Sequence, residues 1–173
     1  MPVRQYLGFE LLKAPQNVES MLFGPKVIHK SQIFAKSRLS FAFTNIKPFA
    51  PGHSLVSPIR VVPRYKDLTP EEIYDWGCMV QVVAESLEKM YNCTSSSIII
   101  QDGKEAGQTI PHLHAHIIPR KANDLEDPDS IYESVDNEEG TLRTMEEMEK
   151  TAAETEKFVK MVLESKCVGC LNE

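Results

Sequence analysis

The sequence predicts an α+β fold built on a mainly antiparallel sheet. Three observations lead there. Short strand-like patterns follow one another before residue 60, a single long amphipathic helix opens at Thr69, and further strand patterns come after it. At 173 residues, 42% of them hydrophobic, one domain with a sizeable core and short extensions is the economical layout.

The elements follow in order. Residues 1–22, with Pro2, Pro15 and mixed polarity, read as a loosely ordered extension. Strand patterns begin at Val27-Ile28 and continue at Gln32–Ala35 and Leu39–Asn45, with Lys36-Ser37-Arg38 as a hairpin connection. Pro48, Pro51 and Gly52 break the chain before a short strand at His53–Pro58. Thr69-Pro70-Glu71-Glu72 has the features of a helix start: a capping hydroxyl, a proline in the first turn, and a glutamate three residues on. Ile73, Trp76, Val80, Val83, Ala84, Leu87 and Met90 recur at helical spacing to about Tyr91. Ser97–Gln101 is the next strand, Asp102-Gly103 its turn, and Gly107-Gln108-Thr109 leads into a histidine-rich strand. Residues 121–140 are polar and acidic, which predicts a mobile loop. Thr144–Glu147 repeats the capping-box pattern and opens a last helix to about Ser165, leaving 167–173 as a tail.

The net charge of −6 is concentrated. Residues 124–150 hold eleven of the 25 acids and two of the 19 bases, so the remainder is mildly basic. That suits an anionic small ligand and falls short of a nucleic-acid-binding footprint. No apolar run approaches ~18 residues, so no membrane span is expected. The first twenty residues lack a targeting profile, and the cytoplasm, with the nucleus second, is the expected compartment. Cys78 falls in the helical pattern as a small hydrophobe. Cys167 and Cys170 have CxxC spacing without a second pair, which argues for an incidental pair over a zinc or redox site. Asn92-Cys93-Thr94 matches a glycosylation sequon, with nothing else pointing to secretion.

The chemistry concentrates in Pro111-His-Leu-His-Ala-His-Ile-Ile-Pro-Arg120. In a strand, alternate side chains share a face. His112, His114 and His116 then line one side, and Leu113, Ala115 and Ile117 the other. Burying three unpartnered imidazoles would cost ~1–3 kcal/mol each, so a solvated cleft or a ligand is expected beside them. Metal binding by three such histidines is geometrically possible, but no carboxylate or cysteine partner stands out. The neighbours favour phosphate chemistry. Gly103 and Gly107 bracket a loop ending in Gln108-Thr109 that can offer backbone N–H groups and a hydroxyl to an oxyanion, and Gln101 can add an amide. A neutral imidazole held by a backbone carbonyl or a second histidine is a competent nucleophile toward phosphorus. Phosphoryl or nucleotidyl transfer is therefore preferred to metal binding.

These residues resemble the histidine-triad superfamily, whose HxHxHxx signature matches His112–Ile118. The surrounding runs resemble its fragile-histidine-triad branch, the diadenosine polyphosphate hydrolases. They are Gln101-Asp-Gly-Lys-Glu-Ala-Gly-Gln-Thr109, Pro119-Arg-Lys121, Leu39–Asn45, Lys47-Pro48, Pro51-Gly-His53, Leu68–Glu72 and Asp129-Ser-Ile-Tyr-Glu133. The likeness extends from about Phe23 to the last helix, which places the domain at 23–166. It implies five mainly antiparallel strands, a long helix and a C-terminal helix, with the sheet continued across a homodimer. It also implies cleavage of diadenosine triphosphate to AMP and ADP through a nucleotidylated histidine. On that basis His114 is the nucleophile and His116 contacts the α-phosphate or bridging oxygen. His112 fixes the orientation of the others, and His53 supports His114 from the adjacent strand. Gln101 and the Gln108-Thr109 loop hold the phosphates and Asn45 the ribose, with Gly107 and Ile110 also substrate-binding. Phe43 and the segment 23–28 flank the adenine. Tyr132 matches a loop tyrosine phosphorylated in some relatives, the alternative being an ordinary exposed tyrosine.

Lys26 stands where relatives often have a histidine, and an ammonium there could still meet a phosphate. Pro111 is unusual before the triad. The N-terminal extension and CVGC tail have no recognised counterpart, and the chain leaves no room for the nitrilase-like domain fused to some relatives. A divalent cation, Mg2+ or Mn2+, is expected to travel with the polyphosphate rather than bind the histidines, with no tightly held protein metal. The nearest rival is a Hint-type purine nucleoside phosphoramidase, which tends to carry a glycine pair where Pro119-Arg120 stand. Transferases and phosphorylases of the superfamily carry glutamine at the third triad place, so His116 argues for hydrolysis. A signalling module whose nucleotide-bound dimer is the messenger is the reading from a different class.

Overall fold

A computed structural model describes the backbone of residues 4–6, 9–11, 19–136 and 140–169. Five strands form the main sheet: β5 (Ile33–Lys36), β6 (Ser40–Thr44), β7 (Ser54–Pro58), β8 (Ser95–Ile100) and β9 (Ala115–Arg120). Their spatial order is β5-β6-β7-β9-β8 and every pair is antiparallel. Before them come two hairpins, β1 (Arg4–Tyr6) with β2 (Phe9–Leu11) and β3 (Ser20–Phe23) with β4 (Lys26–His29). The helices are α1 (Pro70–Tyr91), α2 (Ser130–Asp136) and α3 (Met145–Gly169). None of the described helices is long and apolar enough to cross a membrane.

The strand period of two decides what each face does. Ala42, Val56, Leu113, Ala115 and Ile117 face one side and join Trp76, Met79, Val83, Leu87, Val159 and Leu163 in the core beneath α1 and α3. Trp76 fixes α1 to the sheet by donating from Nε1 to the Val56 carbonyl at 3.2 Å. The N-terminus of α1 closes as its sequence predicts: Thr69 Oγ1 accepts from the Glu72 N–H, and the Glu72 carboxylate accepts from the Thr69 N–H. Arg60 grips that carboxylate with two bonds of 2.7 Å, which holds the Glu72 pKa down at about 2. The reciprocal bonds between Thr144 and Glu147 open α3 in the same way.

The other face carries Phe41, Phe43, Leu55, His116, Ile99 and Ile118, and two apolar roofs cover its ends. Over β6 and β7, Phe23 and Ile28 of the β3–β4 hairpin pack on Phe41, Phe43 and Leu55. Over β8 and β9, Ile131 and Val135 of α2 pack on Ile99 and Ile118. The histidines lie between the roofs.

Four boundaries differ from the sequence reading. Regular pairing of β9 begins only at Ala115, because Leu113 donates its N–H to Val62 instead of to β7. His112 and His114 therefore precede the strand, although the alternation of faces holds through them. The extension expected at 1–22 contains β1 and β2, with β1 lying beside α3, and β3 crosses its boundary. The segment 121–140, expected as a mobile loop, contains α2, because Ile131 and Val135 stand four residues apart and bury together. Finally, α3 runs past Ser165 to Gly169, so Cys167 is helical, while Cys170 lies outside the described residues.

Candidate active site

His116 is the third member of a cross-strand row. It stands opposite Leu55 on β7 and Ile99 on β8, and Leu55 in turn stands opposite Phe43 on β6. Apolar neighbours on both sides explain its burial at 9% exposure. Desolvation comes first among the causes that keep its pKa far below the imidazole norm, followed by repulsion from His114 and His53.

His53, just before β7, reaches across to His116, with His53 Nε2 and His116 Nδ1 2.9 Å apart. Asn45 Oδ1 accepts from the Lys47 N–H, which turns its amide nitrogen toward both ring nitrogens of His53, at 3.4 Å from Nδ1 and 3.2 Å from Nε2. Each ring nitrogen has one role to give. The assignment that uses each once runs from Asn45 Nδ2 to His53 Nδ1, and from His53 Nε2–H to His116 Nδ1. His116 then carries its proton on Nε2, a buried atom with no hydrogen-bond partner among the described residues. Burial and the neighbouring His114 lower the His53 pKa to about 4, so the pair is neutral at pH 7.

His114 is fixed differently. Its Nδ1 lies 2.7 Å from the His112 carbonyl, to which only an N–H can donate, so the lone pair belongs to Nε2. Burial again lowers its pKa and keeps that lone pair unprotonated. The His114 ring lies 5.0 Å from that of His116 and meets Phe23 edge-on at 5.1 Å. His112 is fully buried. Its Nδ1 accepts from the Gly24 N–H at 3.0 Å and its Nε2 donates to the Pro58 carbonyl at 3.0 Å. Gly24 has φ +55°, and a β-carbon there would fall 2.9 Å from Ile110 Cγ2, so glycine alone fits this approach without strain.

Two expectations need correction. Of the solvated cleft or ligand expected beside the imidazoles, the open cleft is not what surrounds them: they are buried, and hydrogen bonds to backbone and to each other offset much of that cost. His53 supports His116, not His114, because the Leu55–His116 register brings those two rings together.

Phe43 is buried against Phe23, with ring centroids 5.1 Å apart, and Ile110 packs on the same cluster. Lys26 is exposed on β4. Gln101 is buried just beyond β8. Gln108 holds its own loop: Oε1 accepts from the Gly103 N–H and Nε2 donates to the Pro63 carbonyl, both at 2.9 Å. Gly107 and the exposed Thr109 line a shallow groove with Pro63, Arg64 and Lys104. Tyr132 is 54% exposed on α2. Sequence reasoning included Gly24 only in the segment flanking the adenine, not as the partner of His112, and it missed Phe49, whose ring meets His53 edge-on at 5.1 Å. The Gly24-Pro25 dipeptide was a usable turn signal. No group of three His, Cys, Asp or Glu side chains suited to a metal ion occurs among the described residues.

An antiparallel sheet that sets a lone-pair imidazole beside a donor imidazole defines a class of protein with a histidine-centred transfer site. The comparisons make it specific. The HIT domain matches residues 27–123. The chain is 48% identical over 132 residues to a bis(5'-adenosyl)-triphosphatase of Dictyostelium discoideum, covering 76% of this chain and 88% of the relative. It is 49% identical over 115 residues to an asymmetrical bis(5'-nucleosyl)-tetraphosphatase of Schizosaccharomyces pombe, covering 66% and 63%. Among solved structures, the Plasmodium falciparum diadenosine triphosphate hydrolase in complex with Cyclomarin A superposes with a TM-score of 0.73 at 34% identity, covering 87% of this chain and 90% of that one. The chain belongs to the HIT domain family.

Proposed function

We propose that this protein is a dinucleoside polyphosphate hydrolase that cleaves diadenosine 5',5'''-P1,P3-triphosphate to AMP and ADP through an adenylyl group on His114. One observation carries the reading. The His112 carbonyl commits His114 Nδ1–H and so presents the Nε2 lone pair, beside a buried His116 Nε2–H that lacks a partner among the described residues.

In the first step the His114 Nε2 lone pair forms a bond to the α-phosphorus as the bond to the bridging oxygen breaks. ADP leaves with that electron pair. His116 Nε2–H hydrogen-bonds the departing oxygen, where charge develops. The adenylated ring becomes cationic, and the His112 carbonyl at Nδ1 stabilises it. Water then attacks phosphorus, the P–N pair returns to His114, and the proton of water leaves with the products. A divalent cation, Mg2+ or Mn2+, fits this reading as a companion of the polyphosphate, since the histidine nitrogens are taken up by hydrogen bonds and by catalysis.

A homodimer joined at β8 fits the exposed Ile98 and Ile100 on that edge strand, with Ile73 and Tyr74 exposed on α1. Sedimentation of the purified chain at twice the monomer mass supports it; a monomer at micromolar concentration counts against it.

The test of the activity is a panel of diadenosine tri- and tetraphosphates, adenosine phosphoramidates and nucleotide sugars. Release of AMP and ADP from the triphosphate is the expected result. Turnover confined to phosphoramidates moves the protein to the Hint-type reading.

A further inference from the structure

We propose that Phe49 is a positioning residue for the His53–His116 pair, seated by α2 and by residues 140–143. This rests on the reading of His116 as donor to the departing oxygen. Phe49 lies in the connection between β6 and β7, which also carries Asn45 and His53. Its ring meets His53 edge-on, with centroids 5.1 Å apart and planes at 68°. Phe49 and Ala50 also pack into the apolar cluster formed by Ile131 and Val135 of α2 with Ile99, Ile118 and Leu125. The chain beyond α2 holds the same connection: the Arg143 N–H donates to the Ile46 carbonyl at 2.9 Å. Gly140 lies so close that a β-carbon there would fall 2.5 Å from the Lys47 carbonyl oxygen.

The physical need follows from the imidazole. Rotation about its second side-chain torsion is broad, and hydrogen bonds at ring nitrogens do not alone fix the plane. His53 can donate to His116 Nδ1 only while its ring keeps that plane. Phe49 supplies the wall, and α2 seats the wall from behind. Loss of the wall lets His53 turn, and the proton on His116 then exchanges between Nδ1 and Nε2. The donor aimed at the departing oxygen is present only part of the time, and geometric errors of this kind lower turnover more than binding.

The experiment uses the full chain with Phe49→Ala, Phe49→Leu and Phe49→Tyr. Imidazole nitrogen NMR of the free protein at pH 7 reads the tautomers without substrate. Fixed tautomers for His53 and His116 are expected in the wild type and in Phe49→Tyr, and averaged shifts in Phe49→Ala. Leucine keeps the apolar contact with α2 but lacks the ring edge, so Phe49→Leu also averages and decides the matter if the alanine variant does not fold. With diadenosine triphosphate, Phe49→Leu should lower kcat about tenfold with KM within about twofold. Ile131→Asp, which unseats α2 from outside the site, should reproduce the averaged shifts. Unchanged shifts for His53 and His116 in folded Phe49→Leu overturn the proposal. A wild type that leaves the substrate intact while the shifts still respond overturns the hydrolase reading instead.

Discussion

Acidification from pH 7 to pH 5 should destabilise this fold more than its carboxylates explain. The cause is the row of buried neutral imidazoles. The unfolded chain protonates His53 near pH 6.5, whereas the folded one resists until about 4. Between those values the unfolded state binds the extra proton, so stability is present above 6.5 and is lost as pH falls toward 4. At 1.36 kcal/mol per pKa unit, His53 alone contributes about 3 kcal/mol over the whole window and about 2 kcal/mol between pH 7 and 5. His112, His114 and His116 are shifted in the same direction by burial, so the His53 share is a lower limit. Glu72 and Asp124 are depressed to about 2, and their contributions fade only as pH falls through the ordinary carboxylate range, below this window. Urea unfolding at pH 7, 6 and 5, for the wild type and His53→Asn, measures the effect. The wild type should lose about 2 kcal/mol or more by pH 5, and the variant should lose less. A wild-type stability flat from pH 7 to 5 would refute the burial of neutral histidines.

The remaining expectations are more local. His114→Asn should lower kcat by several orders of magnitude while substrate still binds, and a near-normal kcat in steady-state assays would remove the nucleophile assignment. Gly24→Ala forces a side chain onto φ +55° against Ile110, and denaturant titration should show a loss of about 1–2 kcal/mol. Thr69→Ala removes the hydroxyl that caps α1, which should cost about 1 kcal/mol in the same titration with kcat unchanged.

What the sequence reveals and what it hides divide along local and non-local lines. The helix starts at Thr69 and Thr144 are local patterns of cap and glutamate, and both form as the residues dictate. The alternation from His112 to Ile117 is local too, and it assigns faces correctly even where regular pairing has not begun. The partner of His53 is not local. It depends on the register that sets Leu55 opposite His116, which no spacing within either segment encodes. Burial of the histidines depends on a hairpin some ninety residues earlier in the chain, whose Gly24 bonds His112. Helix α2 was hidden by composition, because the eight acids of residues 121–140 outnumber the two apolar residues that dock it. For the proposed site, the triad, His53 and Asn45 were legible as chemical types. The division of nitrogens between acceptor and donor required the folded chain.

The central claim is a covalent intermediate on His114. Its most direct measurement is rapid quenching of the protein with diadenosine triphosphate labelled in the α-phosphate, followed by peptide mapping. An acid-labile, base-stable adenylyl group on the peptide carrying His114, formed before steady-state turnover and absent in His114→Asn, is the predicted result. Burst-phase release of ADP with no protein-bound label, or label on His53, His112 or His116, would contradict it.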